Sequence, residues 1–445
     1  MDVTSINNIL AFSYLFVWVA TLIWYHRNVR VLDGGSAIIT MYIVYAVFSI
    51  LSLNDPIFSM TYNPLKVFPY IYLYVMMMIA LMPSITYHEN MPNEIADPHT
   101  RTLKILSVVI VLCAICLLPE LANNFSTGFV KLFTDVSAGK DAYTEQLETV
   151  SDSGGAIKNL PAVIYNACSD ITVFLFFYFL SLKEKSRLLL VALFISSLIG
   201  LVMPVMRGER SGVILGILTL IGGYMTFRHY LSKKINRFVQ IAGITLLIVI
   251  TLPVAAITMS RFGDSSEGVF GFLNWYIGQG SLFFNNYGLE PGGTRHGERT
   301  INLFLRVLDS SVPKNYVERR DKYHNLDIDD NVFSTFVGDF TIDFGPIAAF
   351  VIFVVFFVLM ARAVRPRDGT VKLYQLLLLY FTICVSMQGG MYLFSFSDTA
   401  NLRMIMFALL YVYLRYHEVL LEKFPLEEKG NNDDNSQSLN TINTK

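Results

Sequence analysis

SRLLLVALFISSLIGLVMPVMRGERSGVILGILTLIGGYMTFRHYLSKKINRF, residues 186–238, holds two apolar runs, Leu188 to Met206 and Gly212 to Phe227, joined by a short polar turn. An apolar stretch of about 20 residues is what a helix needs to cross a bilayer. The outer flanks are basic: Arg187 precedes the first run, and Arg228, Lys233, Lys234 and Arg237 follow the second. Lys and Arg collect on the cytoplasmic side of membrane proteins, so the stretch reads as a helical hairpin whose two ends lie inside and whose turn lies outside.

The rest of the 445-residue chain follows the same rule. It is 53% hydrophobic and only 16% charged, with mean hydropathy +0.49, too few polar residues to cover a water-facing surface of this size. Further runs occur at Ile9 to Tyr25, Ala37 to Leu53, Val67 to Tyr87, Leu103 to Leu121, Leu160 to Leu182, Phe238 to Ser260, Phe333 to Ala361, Leu373 to Phe396 and Ala400 to Tyr416. The expected fold class is therefore an all-α polytopic membrane protein of about eleven spans, one domain over residues 1–424, with the N-terminus outside. Every second connection is then basic. The first run follows Asp2 without a basic residue or a small-residue cleavage site, which reads as a span and not as a detachable signal peptide. Residues 425–445, mostly polar, read as a disordered cytoplasmic tail. The near-neutral balance of 34 Lys+Arg against 35 Asp+Glu argues against a nucleic-acid partner. Cys113, Cys116, Cys168 and Cys384 all lie in apolar runs, which excludes a disulfide framework in the loops.

Two outward connections are long, residues 122–159 and 261–332. Basic residues on that side run against the orientation rule and need another reason to exist. Arg207 and Arg210 lie in the outer turn, Arg261 follows the eighth run, and Arg403 sits one turn into the last. Planar, permanently charged guanidiniums at one membrane level suit bidentate capture of a diphosphate. Within the second long loop, Arg295, His296 and Arg299 make a cationic, glycine-rich stretch in which an imidazole could move a proton near pH 7. Next, Ile301, Phe304, Leu305 and Leu308 recur at helical spacing opposite Arg299, Asn302, Arg306 and Asp309, predicting an amphipathic helix on the membrane surface. Trp275 and Tyr276, set among Asn and Gln, fit a sugar face or a membrane interface equally. Asp339 and Asp343 share one helical face just before Gly345-Pro346, and carboxylates there require a polar cavity or an arginine. Asp170, about ten residues into the fifth run, reads as the partner of a buried polar group.

The outer RGERSG turn, the long late loop and the segment Ser334 to Phe350, STFVGDFTIDFGPIAAF, resemble the Wzy-type oligosaccharide repeat-unit polymerases of bacterial O-antigen and capsule assembly. The resemblance implies a GT-C-like glycosyltransferase of the inner membrane, with its active site on the periplasmic side. It would polymerise undecaprenyl-diphosphate-linked repeat units and release lipid diphosphate, with the chain-length regulator and the repeat-unit flippase as possible partners. Under it, Asp339, Asp343 or His296 would activate the acceptor hydroxyl, the four outer arginines would bind diphosphate, and Trp275, Tyr276, Arg295 and Arg299 would contact glycan. No cofactor is implied. A divalent metal is not expected, because the first outer connection, Asn54 to Lys66, offers only Asp55, and the one DxD string, Asp327 to Asp329, stands in a polar loop. An O-antigen ligase acting on lipid A, a flippase for lipid-linked oligosaccharide, or a non-catalytic envelope scaffold are the competing readings.

Overall fold

The computed structural model describes residues 3–29, 32–89, 92, 94–96, 100–124, 160–206, 210–262, 266–313, 318, 321–328, 332–366, 369–392 and 398–423. Long helices follow one another: α1 (Val3–Asn28), α2 (Gly34–Leu53), α3 (Val67–Glu89), α4 (Thr100–Asn124), α5 (Leu160–Ser181), α6 (Arg187–Met206), α7 (Arg210–Phe227) and α8 (Lys233–Phe262). Then come α9 (Ser266–Phe283), the short α10 (Asn302–Leu308), α11 (Thr335–Phe344), α12 (Pro346–Val364), α13 (Leu373–Gln388) and α14 (Asp398–Lys423). The only strands among the described residues, Glu94–Ile95 and Thr370–Val371, pair in parallel.

Among the described residues, nine helices are long and apolar enough to cross a membrane: α1 to α8 and α12. The architecture is all-α and polytopic. Its flanks are apolar where a water-soluble protein is polar. On α8, for example, Phe238, Ile241, Ile244, Ile248 and Leu252 are each more than half exposed. A continuous apolar face of that length belongs in acyl chain and not in water.

The connections sort to two ends. At one end the expected cytoplasmic segments meet: Arg228 donates to the Leu32 carbonyl, His88 Nδ1 lies 3.0 Å from Asp33 Oδ2, Tyr230 reaches the Pro92 carbonyl, and the strand pair joins the connection after α3 to the one after α12. At the other end Asn285 bonds the backbone of Lys66 at 2.8 and 2.7 Å, and the Asn401 amide donates to the Thr300 carbonyl.

Three expectations change. The ninth run is not one helix from Phe333 to Ala361: Gly345, at φ 77, breaks it into α11 and α12, and Pro346, which has no N–H to give, starts the second piece. The segment read as outer loop from 261 to 332 contains α9, packed along α2. Sequence signals were weak there because Gly268, Gly271, Gly278 and Gly280 dilute its apolar character. Gly278 is what lets it lie close to α2. A Cβ on Gly278 would fall on the Phe48 carbonyl, and Ser49 Oγ bonds the Gly278 carbonyl at 2.6 Å and Ser281 Oγ at 2.8 Å. After α9 a π turn, Phe284–Gly288, leads to Asn285 and Asn286, whose amides bond the segment before α3. The tenth run is helical only to Gln388, and residues 393–397 are outside the described set, as are 125–159 and 424–445.

Because the obstacle at Gly278 is backbone, it cannot move aside. Gly278→Ala should destabilise the detergent-solubilised chain by about 3 kcal/mol, whereas Gly243→Ala, with no atom within 4 Å of the new Cβ, should be neutral or gain up to about 1 kcal/mol in helix propensity. Equal melting temperatures for the two variants would rule out the α2–α9 contact.

Candidate functional site

The site is built around α11. Its carboxylates, Asp339 and Asp343, lie four residues apart and so point from one face. Both are buried, at 0% and 1% exposure. The loop running from Pro291 to Ile301 is laid along that face: the Arg295 N–H donates to the Ile342 carbonyl at 3.0 Å, and Asp343 accepts the N–H groups of Arg299 at 3.1 Å and Thr300 at 2.7 Å. Arg299 donates from Nε to Asp339 Oδ1 at 2.5 Å. The loop can follow this path because its turns fall on residues that take positive φ, Gly292 at 81°, Gly297 at 88° and, without the licence of a glycine, His296 at 54°. Strained non-glycine backbone persists only where its surroundings fix it, and it clusters at functional sites.

Neighbouring segments complete the layer. The Arg295 guanidinium stands over the Tyr323 ring at 5.6 Å, the Tyr323 hydroxyl donates to the Arg295 carbonyl at 3.3 Å, and Lys322 donates to Glu298 at 2.5 Å. On the other flank the Leu303 N–H donates to Asn401 Oδ1 at 3.2 Å, and Arg306 pairs with Asp398 at the first turn of α14. Thus α10 turns its polar residues toward α14 and its apolar ones outward: Asn302 is fully buried, while Val307 is 80% and Leu308 84% exposed. One turn further along α14, Arg403 donates from Nε to the Asn166 carbonyl at 3.1 Å and approaches Asp170. Asp170 thereby has the polar partner that its place in a span demands.

This geometry corrects several expectations. Asp339 and Asp343 are enclosed and their oxygens hold the loop, so neither is placed to take a proton from an incoming hydroxyl. Arg295 and Arg299, at 3% and 2% exposure, are likewise enclosed and do not face a glycan. Trp275 is half-buried on α9 with its ring stacked on Phe58 at 5.3 Å, and Tyr276 meets Phe333 edge-on at 5.0 Å. His296, by contrast, is exposed at the crest of the loop, with Nδ1 3.4 Å from Thr294 Oγ1. Arg207 is outside the described residues, as is Asp329; Arg210 and Arg261 are described as the first residue of α7 and a last-turn residue of α8, their side chains outside the description. Glu298, Lys322, Tyr323 and Asn401 were not singled out from the sequence. Only Asn401 carried a local sign, an amide in the first turn of a run that is apolar through its middle, Met404 to Leu414.

Burial pushes the Asp343 carboxyl up from 3.8 to about 6, opposed by the hydrogen bonds from Thr300 and Arg299 and by the Arg299 charge. Through this group the folded state binds more protons than the unfolded between those values, so the contribution of Asp343 to stability is fully present below pH 4 and is lost as pH rises through 6. Asp343→Asn cannot ionise and should lack this slope. Measured against the parent, the melting temperature of the variant should improve from pH 4 to 6 and level off above; parallel curves would remove Asp343 from the titration. Arg299→Ala, which strands the Asp339 carboxylate, should cost about 3–5 kcal/mol, and adding Asp339→Asn should recover part of it. Strict additivity in this double-mutant cycle would deny the pair.

Compared with protein-family models, with curated proteins and with solved structures, the chain matches none.

Proposed function

We propose that this chain is a repeat-unit polymerase: a GT-C-like glycosyltransferase of about eleven spans in the bacterial inner membrane, N-terminus outside, joining undecaprenyl-diphosphate-linked oligosaccharides at the periplasmic face. The observation that carries the reading is that exposed His296 and incompletely paired Arg403 stand at the loop end of the bundle, on a layer of charge drawn from Arg295 to Arg299, Lys322, Asp339 to Asp343 and Asp398. That end is opposite the basic connections, which the orientation rule assigns to the cytoplasm. Lipid-linked saccharide presents its sugars and diphosphate at the membrane surface, so a site for it belongs at such an end.

Under this reading the labour divides. The locked layer of α11 and its loop is scaffold, and it holds His296 rigidly toward solvent. Neutral His296 accepts the proton of the acceptor hydroxyl as that oxygen bonds the anomeric carbon of the growing chain. The bond from that carbon to the diphosphate oxygen breaks, and the electron pair leaves with the lipid diphosphate. Arg403, with Arg207, Arg210 and Arg261 as further candidates, offsets the charge that builds on the leaving group.

Deleting the gene should leave surface glycans of a single repeat. Purified chain in liposomes supplied with lipid-linked repeat units should build a ladder without added metal, and His296→Ala should slow it about 10²- to 10⁴-fold with no change in melting temperature, since the side chain is exposed. A full ladder from the His296→Ala chain ends the assignment of the base. An unchanged surface ladder in the deletion strain ends the polymerase reading itself.

A further inference from the structure

The contact between Arg403 and Asp170 is incomplete in a way that structural ion pairs are not. Arg403 sits in the second turn of α14 and Asp170 in the third turn of α5, two helices that pack side by side. Charges taken out of water recover their desolvation only through close, hydrogen-bonded pairing, with N–H to O distances near 2.7–2.9 Å. Here Nη1 stops 3.6 Å from Asp170 Oδ1, beyond hydrogen-bond length. Among the described residues, Arg403 makes one hydrogen bond, from Nε to the Asn166 carbonyl, and the Asp170 carboxylate accepts none. Tyr380, close by, donates to the Asp170 backbone carbonyl and not to the side chain. Neither group is sealed: the side chains keep 26% and 19% of their surface. The outer edge of the guanidinium, with two nitrogens in a planar fork, is therefore reachable and unsaturated.

We propose that Asp170 is a placeholder for a lipid diphosphate at Arg403: it neutralises the guanidinium while the site is empty and yields it when the diphosphate arrives. This rests on the polymerase reading and names a positioning residue for it. A fork that accepts one carboxylate oxygen at long range accepts two phosphate oxygens at short range better, because the geometry then closes bidentately. The ligand is membrane-borne, because Asp170 belongs to a helix apolar enough to span the bilayer and the pair lies where that helix meets α14. Asp170 also limits how tightly the ligand can stay, since its negative charge opposes the diphosphate across the same guanidinium. A transferase must release its lipid diphosphate after each turn, and a fixed neighbouring carboxylate supplies that release.

The test titrates purified chain, in phosphatidylcholine nanodiscs, with undecaprenyl diphosphate and separately with phosphatidylglycerol, and follows turnover on lipid-linked repeat units. Asp170→Asn should bind undecaprenyl diphosphate about tenfold more tightly, a change of about 1.4 kcal/mol, with kcat and KM falling together as release slows. Arg403→Ala should bind it at least tenfold more weakly, and Arg403→Lys should restore little. Asp170→Glu keeps the charge and should bind undecaprenyl diphosphate more weakly than Asp170→Asn does, which separates loss of the charge from damage to the fold. Phosphatidylglycerol should not compete. Unchanged or weaker binding by Asp170→Asn, or parent-like binding by Arg403→Ala, overturns the placeholder while leaving the polymerase reading in place. Equal competition by phosphatidylglycerol overturns it too, because the site would then be one for any lipid phosphate. No binding of undecaprenyl diphosphate by the parent chain defeats the polymerase reading, and this inference with it.

Discussion

A pair of carboxylates one helical turn apart carries the organisation of the loop end. Asp339 and Asp343 take up the Arg299 guanidinium and two consecutive backbone N–H groups, fixing the loop from Pro291 to Ile301 against α11. The loop in turn sets α10, whose first turn is held by Asn401 and whose Arg306 reaches Asp398, so α11 and α14 are tied through it. Buried charge is expensive, and removing one partner of such a pair costs more than the pair contributed, so the arrangement is kept or lost as a unit. The Gly345-Pro346 break belongs to the same device. A continuous helix from Thr335 would carry α11 on along the direction of α12, and the carboxylate face would have no fixed place at the surface.

Inside the bundle the constraint is different. Apolar side chains gain nothing by leaving lipid for one another, so helices there associate through close packing and a few hydrogen bonds. The contact of α9 with α2 has both: Gly278 against the Phe48 carbonyl, and Ser49 between the Gly278 carbonyl and Ser281. Elsewhere Tyr45 donates to the Met387 carbonyl and Gln388 to Thr219, each linking helices that the sequence keeps far apart. This polar stitching fixes which helices are neighbours. The apolar surface left outside specifies only that lipid surrounds them.

How much of this was legible follows from the range of each signal. Apolar length and basic flanks are local, and they located the first eight of the helices long and apolar enough to cross a membrane. The Gly345-Pro346 break was visible as well, but the apolar residues on both sides joined it into one run. Helix α9 was hidden because the value of Gly278 depends on α2 being alongside, where a Cβ would meet the Phe48 carbonyl. The helical face shared by Asp339 and Asp343, and the cationic loop, could each be read alone. Their union could not, because forty residues separate Asp339 from Arg299 and nothing in either segment names the other. For α10 the amphipathic period was right. What it could not give is that Asn302 and Arg306 face protein while Val307 and Leu308 face outward.

Charge balance separates scaffold from site. In the locked layer Arg295, Arg299 and Lys322 stand against Glu298, Asp339 and Asp343, three of each sign, and most of these groups are enclosed. Such a layer has no surplus with which to hold a diphosphate, and its parts cannot move without exposing a partner. A group that acts on a substrate must be reachable and must have bonding capacity to give. His296 on its strained crest and Arg403 with its long contact to Asp170 are among the described side chains at this end that meet both conditions. The enclosed layer sets the path of the loop that carries His296, while Arg403, 3.6 Å from Asp170, keeps part of its side chain exposed.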